Sequence, residues 1–120
     1  MRFLVVDDSR VMRQIVARTL RQAGYDGHEV VEAVDGADGL AKVAEHAPDV
    51  VLSDWNMPNM TGIEFLRHLR ASGDQTPFGF VTSEGSDDMR EVAERAGARF
   101  VIVKPFTAEV FSDALAPVLG

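Results

Sequence analysis

From one end to the other the chain alternates between two hydrophobic periods, and that alternation leaves few folds open. Short solid apolar runs stand at Phe3-Leu4-Val5-Val6, Val50-Val51-Leu52, Phe78-Gly79-Phe80-Val81 and Phe100-Val101-Ile102-Val103, with a weaker run at Val30-Val31. They are β-branched or aromatic, too short for helices, and continuous rather than alternating. That is the pattern of strands covered on both faces. The Glu-flanked Val30-Val31 run reads as an edge strand.

Segments of helical period separate the runs. Met12, Ile15, Val16, Thr19 and Leu20 share one face, as do Ala37, Leu40, Ala41 and Ala44. Further sets are Ile63, Leu66 and Leu69 with Phe65 beside them; Met89, Val92, Ala93 and Ala96; and Val110, Phe111, Ala114, Leu115 and Val118. Boundary residues agree with this division. Ser9, Asp35 and Thr107 suit N-caps, and Thr61 with Glu64 forms a capping box. Gly24 and Gly97 stand where helix C-terminal glycines belong, Pro48 stops the second helix, and Pro117 frays or ends the last. Five strands and five helices in strict alternation predict an α/β fold, with right-handed βαβ units and a parallel sheet between two helix layers.

Composition narrows the function. A chain of 120 residues is the length of one domain, expected here to fill residues 1–120 with no output domain attached. The absence of cysteine removes disulfide scaffolds, thiol catalysis and cysteine-ligated zinc, and fits a reducing, cytoplasmic compartment. The apolar runs are too short to span a membrane, and no signal leader is expected. Nineteen acids against twelve Lys and Arg leave a net charge of −7, which argues against a nucleic-acid partner. Among the bases, ten are Arg and only two are Lys, Lys42 and Lys104.

In an open doubly wound sheet, ligands bind beyond the carboxyl ends of the strands. The first run ends in Asp7-Asp8, the third in Ser53-Asp54, the fourth in Thr82-Ser83-Glu84 and the fifth in Lys104-Pro105. Any one of these is explained equally well as a helix cap or a loop residue. Four on one edge, from four separate units, are not. Carboxylates this close disfavour common ionisation unless a cation joins them, and carboxylate oxygens suit Mg²⁺. A carboxylate beside a divalent cation and a lysine is an activated nucleophile toward phosphorus. Thr82 offers a hydroxyl to a phosphoryl oxygen, and Ser83 is small enough to leave it room. Neither G-x-G-x-x-G nor G-x-x-x-x-G-K-[ST] occurs, so nucleotide cradles lack their usual loops.

Asp7-Asp8, Asp54, Thr82 and Lys104-Pro105, at these intervals, resemble the receiver domain of two-component response regulators. The stretches Asp54-Trp55-Asn56-Met57-Pro58-Asn59-Met60 and Phe3-Leu4-Val5-Val6-Asp7-Asp8 resemble its single-domain chemotaxis members in particular. The resemblance implies a flavodoxin-like, doubly wound five-stranded sheet of order 2-1-3-4-5. It makes Asp54 the phosphoacceptor, with Asp8, Asp54 and the backbone carbonyl of Asn56 on Mg²⁺ and Asp7 acting through water. It pairs Lys104 with the phosphoryl group or Asp54, and gives Thr82 the switching movement. Asn56 and Glu84 take positions that tune dephosphorylation, and Ser83 and Glu84 belong to the switch loop. A sensor histidine kinase is the implied phosphodonor, and a downstream protein such as a flagellar motor switch the implied target of a monomer.

One departure stands out. The family often has Tyr or Phe three residues before the lysine; here that position is Val101, with Phe100 one residue earlier. A one-residue offset in a strand points the ring to the other face, so Phe100 is expected in the core. Gly79, inside the fourth strand, marks a close approach of other groups. Alternative readings are a phosphorelay receiver or phosphate sink outside chemotaxis, a pseudo-receiver acting by contact alone, and an aspartate-nucleophile phosphatase. The phosphatase wants a second Asp two residues after the nucleophile, where this chain has Asn56. A flavodoxin-type carrier needs a phosphate loop where this chain has Asp7-Asp8.

Other conspicuous residues have plainer readings. Trp55 covers the mouth of the site, Met57 and Met60 pack the loop, and Asp87-Asp88 suit a helix N-terminus. His28, His46 and His68 lack ligand spacing.

Overall fold

The computed structural model describes residues 1–119. Strands β1 (Arg2–Val6), β2 (Glu29–Ala33), β3 (Val50–Ser53), β4 (Phe78–Thr82) and β5 (Phe100–Val103) alternate with helices α1 (Arg10–Leu20), α2 (Gly36–His46), α3 (Gly62–Ala71), α4 (Asp87–Ala96) and α5 (Ala108–Leu119). All strand pairs are parallel, and the order across the sheet is β2-β1-β3-β4-β5. The weak Val30-Val31 run is an edge strand, as the sequence implies. Among the described residues no helix is long and apolar enough to cross a membrane.

Alternation along each strand sorts the core into two layers. Phe3, Val5, Val50, Leu52, Val81 and Ile102 pack with Val16 and Leu20 of α1 and Phe111 and Leu115 of α5. Leu4, Val6, Val51, Phe78 and Phe80 point the other way, onto Val43 of α2, the apolar face of α3 and Ala93 of α4. The solid apolar runs are thus explained: both faces of the central strands are covered.

The caps stand where the sequence puts them. Ser9 Oγ accepts from the Met12 N–H, Asp35 from Asp38 N–H, and Thr107 Oγ1 from Val110 N–H. Thr61 and Glu64 close a full capping box. Gly24 and Gly97 both have the left-handed φ expected of helix-ending glycines, 102° and 106°. Gly24 makes the kink inside a turn, Arg21–Tyr25, that follows α1.

Two expectations need correction. Ala37, Ala41 and Ala44 of α2 are exposed; its inner face is Gly36, Gly39, Val43 and half-buried Leu40. The Phe65 ring lies where a Gly39 Cβ would stand, 2.8 Å from its Cε2, and Met60 does the same at Gly36. Glycine has no side chain, so a hydrophobic periodicity cannot see such a face. Pro117 does not end α5, which runs on to Leu119. It sits exposed in the last turn, where its missing N–H costs one terminal hydrogen bond rather than breaking a helix in mid-length.

Candidate functional site

Register brings the site together. Val6 lies opposite Ser53, so Asp7 and Asp54 leave the sheet side by side. The Asp54 N–H donates to the Val6 carbonyl at 2.8 Å, and the Asp7 N–H to Ala33 at 3.1 Å. Thr82 lies opposite Val103, and the Lys104 N–H donates to the Thr82 carbonyl at 2.8 Å. Four strand ends thereby deliver their polar residues to one rim.

Carboxylate oxygens of Asp7, Asp8 and Asp54 lie within 4.8 Å of one another. Asp7 is buried, Asp54 half-buried and Asp8 exposed, so the group opens to solvent on one side. Lys104 Nζ reaches Asp7 Oδ2 at 3.3 Å and Asp54 Oδ2 at 3.5 Å. The two oxygens of Asp54 therefore differ: Oδ1 accepts a short 2.7 Å bond from the Trp55 N–H, while Oδ2 has only this loose approach to the amine. Burial, helped by neighbouring Asp7, holds the Asp54 carboxyl above its usual range against the pull of Lys104 and the Trp55 N–H.

The loop after β3 is pinned at several points. The Gly62 N–H donates to the Trp55 carbonyl at 2.8 Å, and a side chain at Gly62 would lie 2.0 Å from the Asp54 carbonyl oxygen. Asn59, at φ 67°, donates to Asp35 Oδ2 at 2.8 Å, tying the loop to the start of α2. Trp55 leans on Phe80, ring centroids 4.7 Å apart, and is half-buried. Asn56 is exposed two residues past Asp54. Thr82 is fully buried, and its Oγ1 accepts from the Glu84 N–H at 3.3 Å; Ser83 and Glu84 are exposed at the rim.

At the departure from the family pattern, Phe100 and Val101 face opposite sides of the sheet. Val101 packs with the α2–α3–α4 layer and Phe100 with the α1–α5 layer. Both are half-buried at this edge strand. The Phe100 ring occupies the space over its register partner Gly79, where a Cβ would come within 2.0 Å of it. The odd glycine and the displaced aromatic are one packing arrangement.

Arg13 was invisible to motif reading. Its Nη1 donates to the Asp7 carbonyl at 2.7 Å and its Nε to Glu32 at 2.8 Å. The target is a backbone atom, and no side-chain pattern marks it. Ser86, which caps α4 by accepting from the Met89 N–H, was likewise missed in favour of the acids after it.

The donor set suits a hard divalent cation: three carboxylates, no nitrogen or sulfur donor, and one side open to water. Asp7, Asp8 and Asp54 could hold such an ion.

Comparison with known proteins gives the same reading. The model of the response regulator receiver domain matches residues 3–116. The chain is 39% identical to the chemotaxis protein CheY1 of Helicobacter pylori, strain J99, covering all of this chain and 98% of that one. It is 39% identical to a CheY homolog of Campylobacter jejuni, covering all of this chain and 93% of that one. Among solved structures it is similar to CheY4 of Vibrio cholerae, with TM-score 0.84 and 39% identity over 98% of this chain and 97% of that one. The signal receiver domain of the putative response regulator NarL from Mycobacterium tuberculosis superposes with TM-score 0.87 at 30% identity, over 99% and 96% of the two chains. The chain belongs to the response regulator receiver domain family.

Proposed function

We propose that this chain is a response regulator receiver of chemotaxis in which Asp54 accepts a phosphoryl group from the phosphohistidine of a sensor kinase. The observation that carries the reading is the meeting of Asp7, Asp8 and Asp54 within 4.8 Å, with Lys104 3.5 Å from Asp54. In the transfer, an Asp54 carboxylate oxygen bonds to phosphorus as the phosphorus–nitrogen bond breaks, and the electron pair returns to the imidazole. Asp54 Oδ1 is held by the Trp55 N–H, so the side chain is already oriented. Lys104 is in reach of the charge that collects on the phosphoryl oxygens, as a compact point charge. Asp8, Asp54 and the Asn56 carbonyl, with Asp7 acting through water, would hold Mg²⁺, which would supply the remaining charge neutralisation.

Thr82 then serves as the switch: among the described residues its hydroxyl has one hydrogen bond, accepted from the Glu84 N–H at 3.3 Å, and is free to turn toward a phosphoryl group. Ser83 and Glu84 carry that movement to the surface, and Asn56 and Glu84 set how long the phosphoryl group lasts. The relatives named for chemotaxis support output through a protein partner such as a flagellar motor switch. Against a motor output stands Val101 in place of the family's usual aromatic, the neighbouring Phe100 ring being committed to the Gly79 side of the sheet; relay of the phosphoryl group to another histidine protein is the second output.

Incubation with a labelled, phosphorylated kinase tests the reading. Label should pass from the kinase to this chain with Mg²⁺ present, and not to Asp54→Asn. Retention on the kinase while Mg²⁺ binds would move the assignment to a receiver that works by contact alone.

A further inference from the structure

We propose that Arg13 is a positioning residue for the metal-binding carboxylates, acting through the backbone of Asp7; the inference rests on reading Asp7, Asp8 and Asp54 as the Mg²⁺ site. The sheet fixes Asp54 directly, through the hydrogen bond of its N–H to Val6. Among the described residues Asp8 has no such support: β1 ends at Val6, and Asp8 stands exposed between the strand and the cap of α1. What carries it is the peptide unit that joins it to Asp7. A peptide is planar, so anchoring the Asp7 carbonyl sets the direction in which the Asp8 Cα leaves.

Arg13 provides that anchor from the first turns of α1. Nη1 holds the Asp7 carbonyl at 2.7 Å, while Nε is held by Glu32 at 2.8 Å. Glu32 lies in β2, the strand beside β1. The guanidinium is therefore fixed between two strands, with its side chain only 12% exposed and its charge met by Glu32. Asp7 has other ties: its N–H donates to the Ala33 carbonyl of β2 at 3.1 Å, its Oδ2 meets Lys104 Nζ at 3.3 Å, and its Oδ1 accepts from the Ser9 N–H at 2.9 Å. Each engages the N–H or the carboxylate of Asp7; Arg13 is the group that holds its carbonyl, and through side chains joins it to β2. A rigid planar fork suits holding two acceptors at once, and groups that orient a metal's ligands typically govern affinity about 10- to 100-fold.

The sign of the effect separates this role from simple electrostatics. Removing a positive charge near a cation site strengthens cation binding by Coulomb's law. Removing a positioning residue weakens it. We expect Mg²⁺ affinity, measured by calorimetry below the unfolding transition, to fall about tenfold in Arg13→Met. Arg13→Lys, which keeps the charge but not the fork, should recover only part. Arg18→Met, on the exposed side of the same helix, should match wild type. If Arg13→Met does not fold, Arg13→Gln serves in its place: it removes the same charge and lacks the fork that holds both acceptors, so affinity should again fall. Unchanged or tighter Mg²⁺ binding in folded Arg13→Met, or in Arg13→Gln where that variant stands in, overturns the proposal alone. Wild type that binds no Mg²⁺ overturns it together with the metal reading on which it rests.

Discussion

Asp54 combines two demands that conflict. Its side chain is largely buried beside Asp7, and burial raises its carboxyl above the usual value despite Lys104 and the Trp55 N–H. A carboxyl whose folded value lies above its unfolded value binds its proton more tightly in the folded chain. Its contribution to stability is therefore greatest below the unfolded value and falls as pH rises through the folded one. At neutral pH the ionised side chain opposes folding until a cation arrives. Asp54→Asn should accordingly be more stable than wild type in metal-free buffer at pH 7, with the advantage vanishing toward acid pH. Mg²⁺ at a hundred times its dissociation constant stabilises a folded chain by about 2.7 kcal/mol, and wild type should gain more of this than the variant. Urea unfolding in chelator and in Mg²⁺ checks the order. A destabilised Asp54→Asn in chelator would mean that the Lys104 contact outweighs burial.

At the scale of elements, the β4–β5 pair is distinctive. Gly79 and Phe100 are register partners, and the ring fills the place of the missing side chain. Gly79→Ala drives a methyl into that ring and should cost about 1–3 kcal/mol. Combined with Phe100→Val, which makes room, the cost should be markedly less than the sum of the two single changes. Additive costs in urea unfolding would show that the ring moves aside freely.

The same pair marks where sequence reading stops. An offset aromatic at position 100 and an odd glycine at 79 were both visible, but their partnership depends on register, which spacing alone does not give. Helix α2 fails for a related reason: its inner face is built on Gly36 and Gly39, which leave room for Met60 and Phe65. A periodicity of apolar side chains passes over glycine and selects exposed alanines instead. By contrast, the strands were legible because their residues are apolar on both faces, and the caps of α1, α2, α3 and α5 because each rests on a local side-chain bond; at α4 the acids Asp87 and Asp88 drew attention from the capping Ser86.

For the whole molecule, alternation of strand and helix implies the layered sheet, and the sheet makes its strand ends meet. That is why Asp7, Asp8, Asp54, Thr82 and Lys104 could be grouped from sequence although 97 residues separate Asp7 from Lys104. Arg13 escaped because its role depends on a carbonyl and on a glutamate in another strand. The net charge of −7 has a local meaning in this frame: three carboxylates crowd one rim with one of two lysines beside them. Such a concentration suits a cation and a phosphoryl group. The most direct test is the intact mass after incubation with acetyl phosphate. Wild type should gain one phosphoryl group in Mg²⁺ and none in chelator, and Asp54→Asn should gain none in either. A wild-type mass unchanged in Mg²⁺, or a phosphoryl group on Asp54→Asn, would contradict the assignment of Asp54 as the acceptor.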